Sequence, residues 1–160
     1  MAAGSLIEVK RLIKDRQFSA VFIAAPIFWT ALWFYASPRP EWGWPLTAPA
    51  QFLLLVVVYP VLEEIVFRGA LQGWLRSRSW GMTQWRQVTL ANAITSVAFA
   101  LTHLIVNPVP LSVAVFIPSL IFGYFRDRYD QLHASIVLHV FYNAGYIWIF
   151  ASIPTAELRN

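Results

Sequence analysis

Glu63, Glu64 and Arg68 interrupt an apolar stretch, QFLLLVVVYPVLEEIVFRGALQGWL, that continues from Ala50 to about Leu75. A charge at the centre of a membrane helix costs about 2.5–3.5 kcal/mol on insertion scales, so three in one helix require a reason. Glu64 and Arg68 stand four residues apart and can pair on one helical face. Glu63 is rotated by about 100° from Glu64 and lacks that partner. The pair therefore divides: Glu64 as a structural carboxylate neutralised by Arg68, and Glu63 as a carboxylate free to face a cavity and act as a general base. A purely structural charge network between helices is the bland alternative.

Two further groups carry chemistry. His103 follows Phe99 by one turn near the end of a third apolar segment, and His139 and Asn143 stand four residues apart near the chain's end. Singly, a buried histidine or asparagine is usually a packing residue that hydrogen-bonds a neighbouring helix. His139 and Asn143 together place two donors on one face, a pattern able to stabilise an oxyanion. His133 lies at a loop–helix boundary and reads as interfacial.

The elements that must position these residues are membrane spans. Hydrophobic residues make up 58% of the 160 and charged residues 12%, and mean hydropathy is +0.56. A soluble domain carries about 25% charged residues. The eight tryptophans suit a bilayer interface. The net charge of +4 and the pI near 9.8 would suit nucleic acid, but the basic residues fall between apolar spans instead of forming one stripe. Nucleic acid is therefore not an expected partner, whereas membrane lipids are. Cysteine is absent, which excludes disulfides, thiol nucleophiles and cysteine-based metal sites.

Five spans are expected, over 18–36, 50–75, 88–106, 111–125 and 132–153, preceded by an amphipathic surface helix over 5–17. The first is long enough to be an anchor and not a cleaved signal. The segment 37–49, with four prolines, reads as a loop, as do the basic stretch 76–87, the turn Asn107–Pro110 and the charged run Arg126–Asp130. With the N-terminus inside, nine basic residues fall on inner segments and two (Arg39 and Arg159) on outer ones. The expectation is one all-α polytopic membrane domain over residues 1–160.

Glu63-Glu64-Ile65-Val66-Phe67-Arg68 matches E-E-x-x-x-R, Phe99 to His103 matches F-x-x-x-H, and His139 to Asn143 matches H-x-x-x-N. In this order, on three apolar helices, the motifs resemble the signature of the CAAX-protease and bacteriocin-processing (CPBP, or Abi) family of glutamic-type intramembrane endopeptidases. The resemblance covers about residues 50–150. It implies that Glu63 and His103 activate a water, that His139 and Asn143 hold the oxyanion, and that Glu64, Arg68 and Phe99 support them. It implies no cofactor. The prenyl-protein proteases of the family are longer. This chain is similar to the shortest bacterial forms, which implies an inner-membrane location and a membrane-tethered protein substrate with a lipidated or C-terminal sorting tail, the JDVT-CTERM type being nearest.

Three other functions compete. A zinc-dependent version would use Glu63, His103, His139 and Asn143 as ligands, but H-E-x-x-H is missing and asparagine is an unusual zinc ligand. A non-enzymatic scaffold or immunity factor of the same fold has no need to keep all four residues. A small transporter or channel would spread its polar residues along a path. Serine- and aspartate-based intramembrane proteases are disfavoured, because no G-x-S-x-G occurs and both later aspartates fall in one charged run.

Overall fold

A computed structural model describes residues 12, 14–38 and 40–150. The chain is mostly helical: α1 (Arg16–Ala36), α2 (Pro49–Arg76), α3 (Leu90–His103), α4 (Val109–Tyr129) and α5 (His133–Phe150). A short helical turn, Trp44–Thr47, precedes α2, and a two-residue hairpin, β1 (Gln84–Trp85) with β2 (Val88–Thr89), precedes α3. Three stretches are long and apolar enough to cross a membrane: Arg16–Phe34, Pro49–Arg76 and Val109–Tyr129. The protein is thus an all-α polytopic membrane protein, as expected from composition. The third expected span comes out shorter. α3 has 14 residues, about 21 Å at 1.5 Å per residue against a hydrocarbon core of about 30 Å. α5 is described over 18 residues. Most of the surface helix expected over 5–17 lies outside the described residues, as do Arg39 and the chain after Phe150.

The expected charged loop at Arg126–Asp130 is instead the last turn of α4, which ends at Asp130 in the left-handed region (φ 56°). That turn is held because Asp127 accepts from Gln72 Nε2 at 2.9 Å and from Thr89 Oγ1 at 2.6 Å.

Two compact units make up the chain: residues up to Val58 with those from Val140 onwards, and Tyr59–His139. In the first, Asp15 caps α1 by accepting from the amides of Gln17 and Phe18. Phe141 packs on Phe22 and Trp29, with ring centroids 4.5 and 5.3 Å apart. Gly145 admits the Trp29 ring, which a Cβ there would overlap.

The second unit carries the charged residues of α2. This helix widens to i→i+5 bonding over Leu54–Val58 and again over Ile65–Gln72. The first widening lies just before Pro60, which has no N–H to give and crowds the preceding turn. The second has a geometric consequence. In an α-helix, residues four apart drift by about 40° around the axis. The wider turn offsets that drift, so Glu64, Arg68 and Gln72, all buried, share one row. α3 and α4 pack closely where Gly123 meets Asn92, with no room for a Cβ. Asn92 Nδ2 donates to the Leu120 carbonyl at 2.9 Å, and Ser96 Oγ donates to Asn92 Oδ1 at 3.1 Å.

Candidate active site

Glu63 and Glu64 end the α-helical turn Tyr59–Glu64, and Arg68 lies in the widened segment that follows. Glu64 and Arg68 are fully buried, with Arg68 Nε 3.6 Å from Glu64 Oε2. That distance is an ion pair and not a hydrogen bond. Arg68 Nη2 donates to Ser119 Oγ at 2.9 Å and to the Ser119 carbonyl at 3.1 Å. The guanidinium carbon also lies 5.0 Å from the centre of the Phe99 ring. Burying two charges is tolerated only when each keeps several partners; Ser119 and Phe99 add to Glu64 around Arg68, while Arg68 Nε and Nη1 and Glu64 Oε2 make no hydrogen bond among the described residues.

His139 joins the two glutamates. Its Nδ1 lies 2.9 Å from Glu64 Oε1, and its Nε2 lies 3.5 Å from Glu63 Oε2. An ionised carboxylate only accepts, so Nδ1 carries hydrogen towards Glu64. In the neutral ring Nε2 is then a lone pair. A proton facing Glu63 must belong to the imidazolium or to a protonated Glu63. Phe122 stacks on the imidazole (4.8 Å, 25°) and Phe99 meets its edge (5.8 Å, 72°). The ring plane is therefore set by aromatic contact as well as by Glu64.

The glutamates differ in access. The Glu64 side chain is fully buried, whereas that of Glu63 is 32% exposed. Glu64 meets His139 and Ser135 as well as Arg68, where sequence suggested only Arg68, and Glu63 meets His139.

His103 ends α3. Its Nδ1 lies 2.9 Å from the Phe99 carbonyl, one turn earlier. A carbonyl only accepts, so Nδ1 is the N–H and Nε2 of the neutral ring is left as a base. The Phe99 ring touches the His103 ring at 4.4 Å and packs edge-on against Phe67 at 5.0 Å. Glu63, Glu64, Arg68, Phe99, His103 and His139 thus share one contiguous network within Tyr59–His139. Asn143 lies one turn beyond His139 on α5, in the other unit, where its Nδ2 donates to the Leu55 carbonyl at 3.2 Å. Among the described residues, no three His, Asp or Glu side chains are arranged to hold a metal ion.

Sequence reasoning missed Ser119, Phe122 and Gln72. Gln72 was findable, since it continues the four-residue row of Glu64 and Arg68. Ser119 sits four and eight residues before Gly123 and Asp127, which both accept from Gln72 Nε2. Phe122 carried no signal, because one phenylalanine among twelve is marked only by what it stacks upon.

The model of the family described as type II CAAX prenyl endopeptidase, Rce1-like, matches residues 44–145. No curated protein and no solved structure matches the chain. The matched interval contains all three motifs, from Glu63 to Asn143.

Proposed function

The chain belongs to the type II CAAX prenyl endopeptidase, Rce1-like, family, a family of intramembrane endopeptidases, and on that premise we propose a glutamate-dependent enzyme. It cuts a membrane-tethered protein near its C-terminal lipidated or sorting tail. The contrast between the glutamates supports this most directly. Glu63 is partly open and flanked by an imidazole, whereas Glu64 is sealed between Arg68 and His139.

In the proposed reaction Glu63, with His103 Nε2 as the second base, takes a proton from water as the oxygen bonds to the scissile carbonyl carbon. The C–N bond then breaks, and that proton passes to the leaving nitrogen. No acyl-enzyme forms. His139 is held by Glu64, which accepts from Nδ1, and supplies Nε2, beside Glu63, as the ring atom that meets the developing oxyanion. By its place in the H-x-x-x-N motif, Asn143 is assigned the same role. The positive-inside count supports an inner-membrane protein with its N-terminus inside. No cofactor is required by this chemistry.

The test is cleavage of a tailed candidate substrate co-expressed in membranes, with its C-terminus mapped by mass spectrometry. Glu63→Gln should lower turnover by about 10²–10⁴-fold while the protein still folds. Normal cleavage by that variant would reject the role of Glu63. Loss of turnover in excess chelator would favour the zinc-dependent version instead.

A further inference from the structure

The segment joining α2 to α3 closes on its neighbours through backbone bonds. Arg78 N donates to Leu75 O at 3.1 Å, Leu90 N to Thr83 O at 2.8 Å, and Ala91 N to Gly81 O at 2.9 Å. A Cβ at Gly81 would overlap the Leu75 carbonyl, so only glycine permits this closure. Leu75 is buried, but four large apolar side chains at or next to the segment are exposed. Trp80 and Met82 are exposed, Trp85 is 76% exposed, and Trp74 is exposed at the end of α2.

Two arginines lie on these rings. The Arg78 guanidinium is 4.5 Å from the centre of Trp74, and that of Arg86 is 5.3 Å from Trp85. No described carboxylate pairs with either. Arg76 and Arg126, close by in sequence or in space, differ in this respect: both bond Asp130, and Arg76 also meets Asp127 at 3.1 Å. Arginine held over an aromatic ring keeps its N–H fork available for a planar or tetrahedral anion.

The depth of the segment follows from α3 and α4. Thr89 Oγ1 donates to Asp127 in the last turn of α4, which places the hairpin level with the charged end of that spanning helix. α3 starts there and is too short to cross the membrane alone. Exposed tryptophans at that level would be poorly solvated in water and fit the headgroup layer.

We propose that residues 74–89 form an anchor in the headgroup layer that binds anionic phospholipid. Arg78 and Arg86 receive the phosphate, and Trp74, Trp80, Met82 and Trp85 sit among the glycerol and upper acyl groups. Charge complementarity selects this occupant: unpaired cations among exposed indoles suit an anionic lipid surface.

The chain has no cysteine, so Gln84→Cys offers a unique site for a fluorescent label on the full-length protein. The probe is a nanodisc of phosphatidylcholine alone or mixed with phosphatidylglycerol. A quencher at headgroup depth should quench the label more than one at mid-chain. Phosphatidylglycerol should be enriched around the protein in mixed discs. Arg86→Gln, a single change at an exposed turn, should lower that enrichment about five-fold, the equivalent of about 1 kcal/mol per arginine near the surface. Arg78→Gln with Arg86→Gln should lower it further, with helicity unchanged by circular dichroism. Equal enrichment in all three proteins overturns the proposal. So does a label quenched equally by aqueous iodide with and without lipid. Shielding of the label that grows with protein concentration would assign the surface to a second copy instead.

Discussion

The two compact units are held together differently. In the unit that contains α1, rings meet rings: Trp33 stacks on Trp42 at 5.7 Å, Trp42 meets Trp148 edge-on at 6.1 Å, and Phe141 packs on Phe22 and Trp29. Its described polar side chains bond to backbone, as Tyr142 does to the Val21 carbonyl, Trp148 to the Trp42 carbonyl and Asp15 to the amides of Gln17 and Phe18. In Tyr59–His139 polar side chains also bond to one another, from Glu64 through Arg68 and Ser119, and from Gln72 through Asp127 to Thr89. Lipid is as apolar as leucine, so aromatic packing gains shape complementarity and little else. A buried polar network gains direction, and losing one member strands another. The unit that orients Glu63 and His139 is built in the second way.

Breaking the network should have the largest effect. Arg68→Met leaves Glu64 buried without its cation and should destabilise by about 3–5 kcal/mol. Glu64→Gln should also destabilise, because it leaves the Arg68 charge without its carboxylate and gives His139 Nδ1 a neutral amide oxygen in place of a charged acceptor. Detergent-resistant unfolding would measure both, and wild-type midpoints would remove the contrast between the units.

Gly123→Ala and Gly145→Ala compare them directly. Each adds a Cβ that must displace a neighbour, at about 1–3 kcal/mol. Gly123→Ala should cost more. Asn92, which it strikes, holds Leu120 and Ser96, whereas Trp29 can shift among other rings. The reverse order in thermal midpoint would show the aromatic unit to be the more tightly specified.

Trp148→Phe keeps a smaller ring against Trp42 and removes the indole N–H bonded to its carbonyl at 3.1 Å. A loss of about 0.5–1.5 kcal/mol is the ceiling for one such bond. A larger fall would mean that hydrogen bonding matters more in this unit than its rings suggest.

The smallest effect is electrostatic. Hydrogen bonds from Arg76 and Arg126 hold the exposed Asp130 carboxyl below the usual aspartate range. A group with a depressed folded-state pKa contributes stability that is present above its unfolded value and is lost as pH falls through the folded one. The wild-type midpoint should therefore fall slightly more than that of Asp130→Asn on acidification below the ordinary aspartate pKa. Parallel curves would show that the pair adds nothing in this exposed position.

The legible part of the site was the part carried on single helices. Glu64 and Arg68 pair at four residues, as spacing implied, and the unequal access of Glu63 and Glu64 follows from their rotation about one axis. His139 bridging both glutamates was not legible. It depends on where α5 starts relative to α2, and no periodicity contains that. Sequence overstates the length of α3, because the apolar run through Val106 continues past the helix that ends at His103. The charged run Arg126–Asp130 reads as a loop in sequence, because Gln72 and Thr89, which stabilise its last helical turn, are 55 and 38 residues away.

Sequence by itself determined the solvent, the helical class and the family motifs. A chain with 12% charged residues and long apolar runs must satisfy its backbone in helices within lipid. Tertiary structure alone decided the proton geometry: which imidazole nitrogen meets which carboxylate, which ring Phe122 covers, and which serine bonds Arg68. Those are distances between separate helices, set by packing, whereas spacing along a sequence specifies only which residues share a face of one helix.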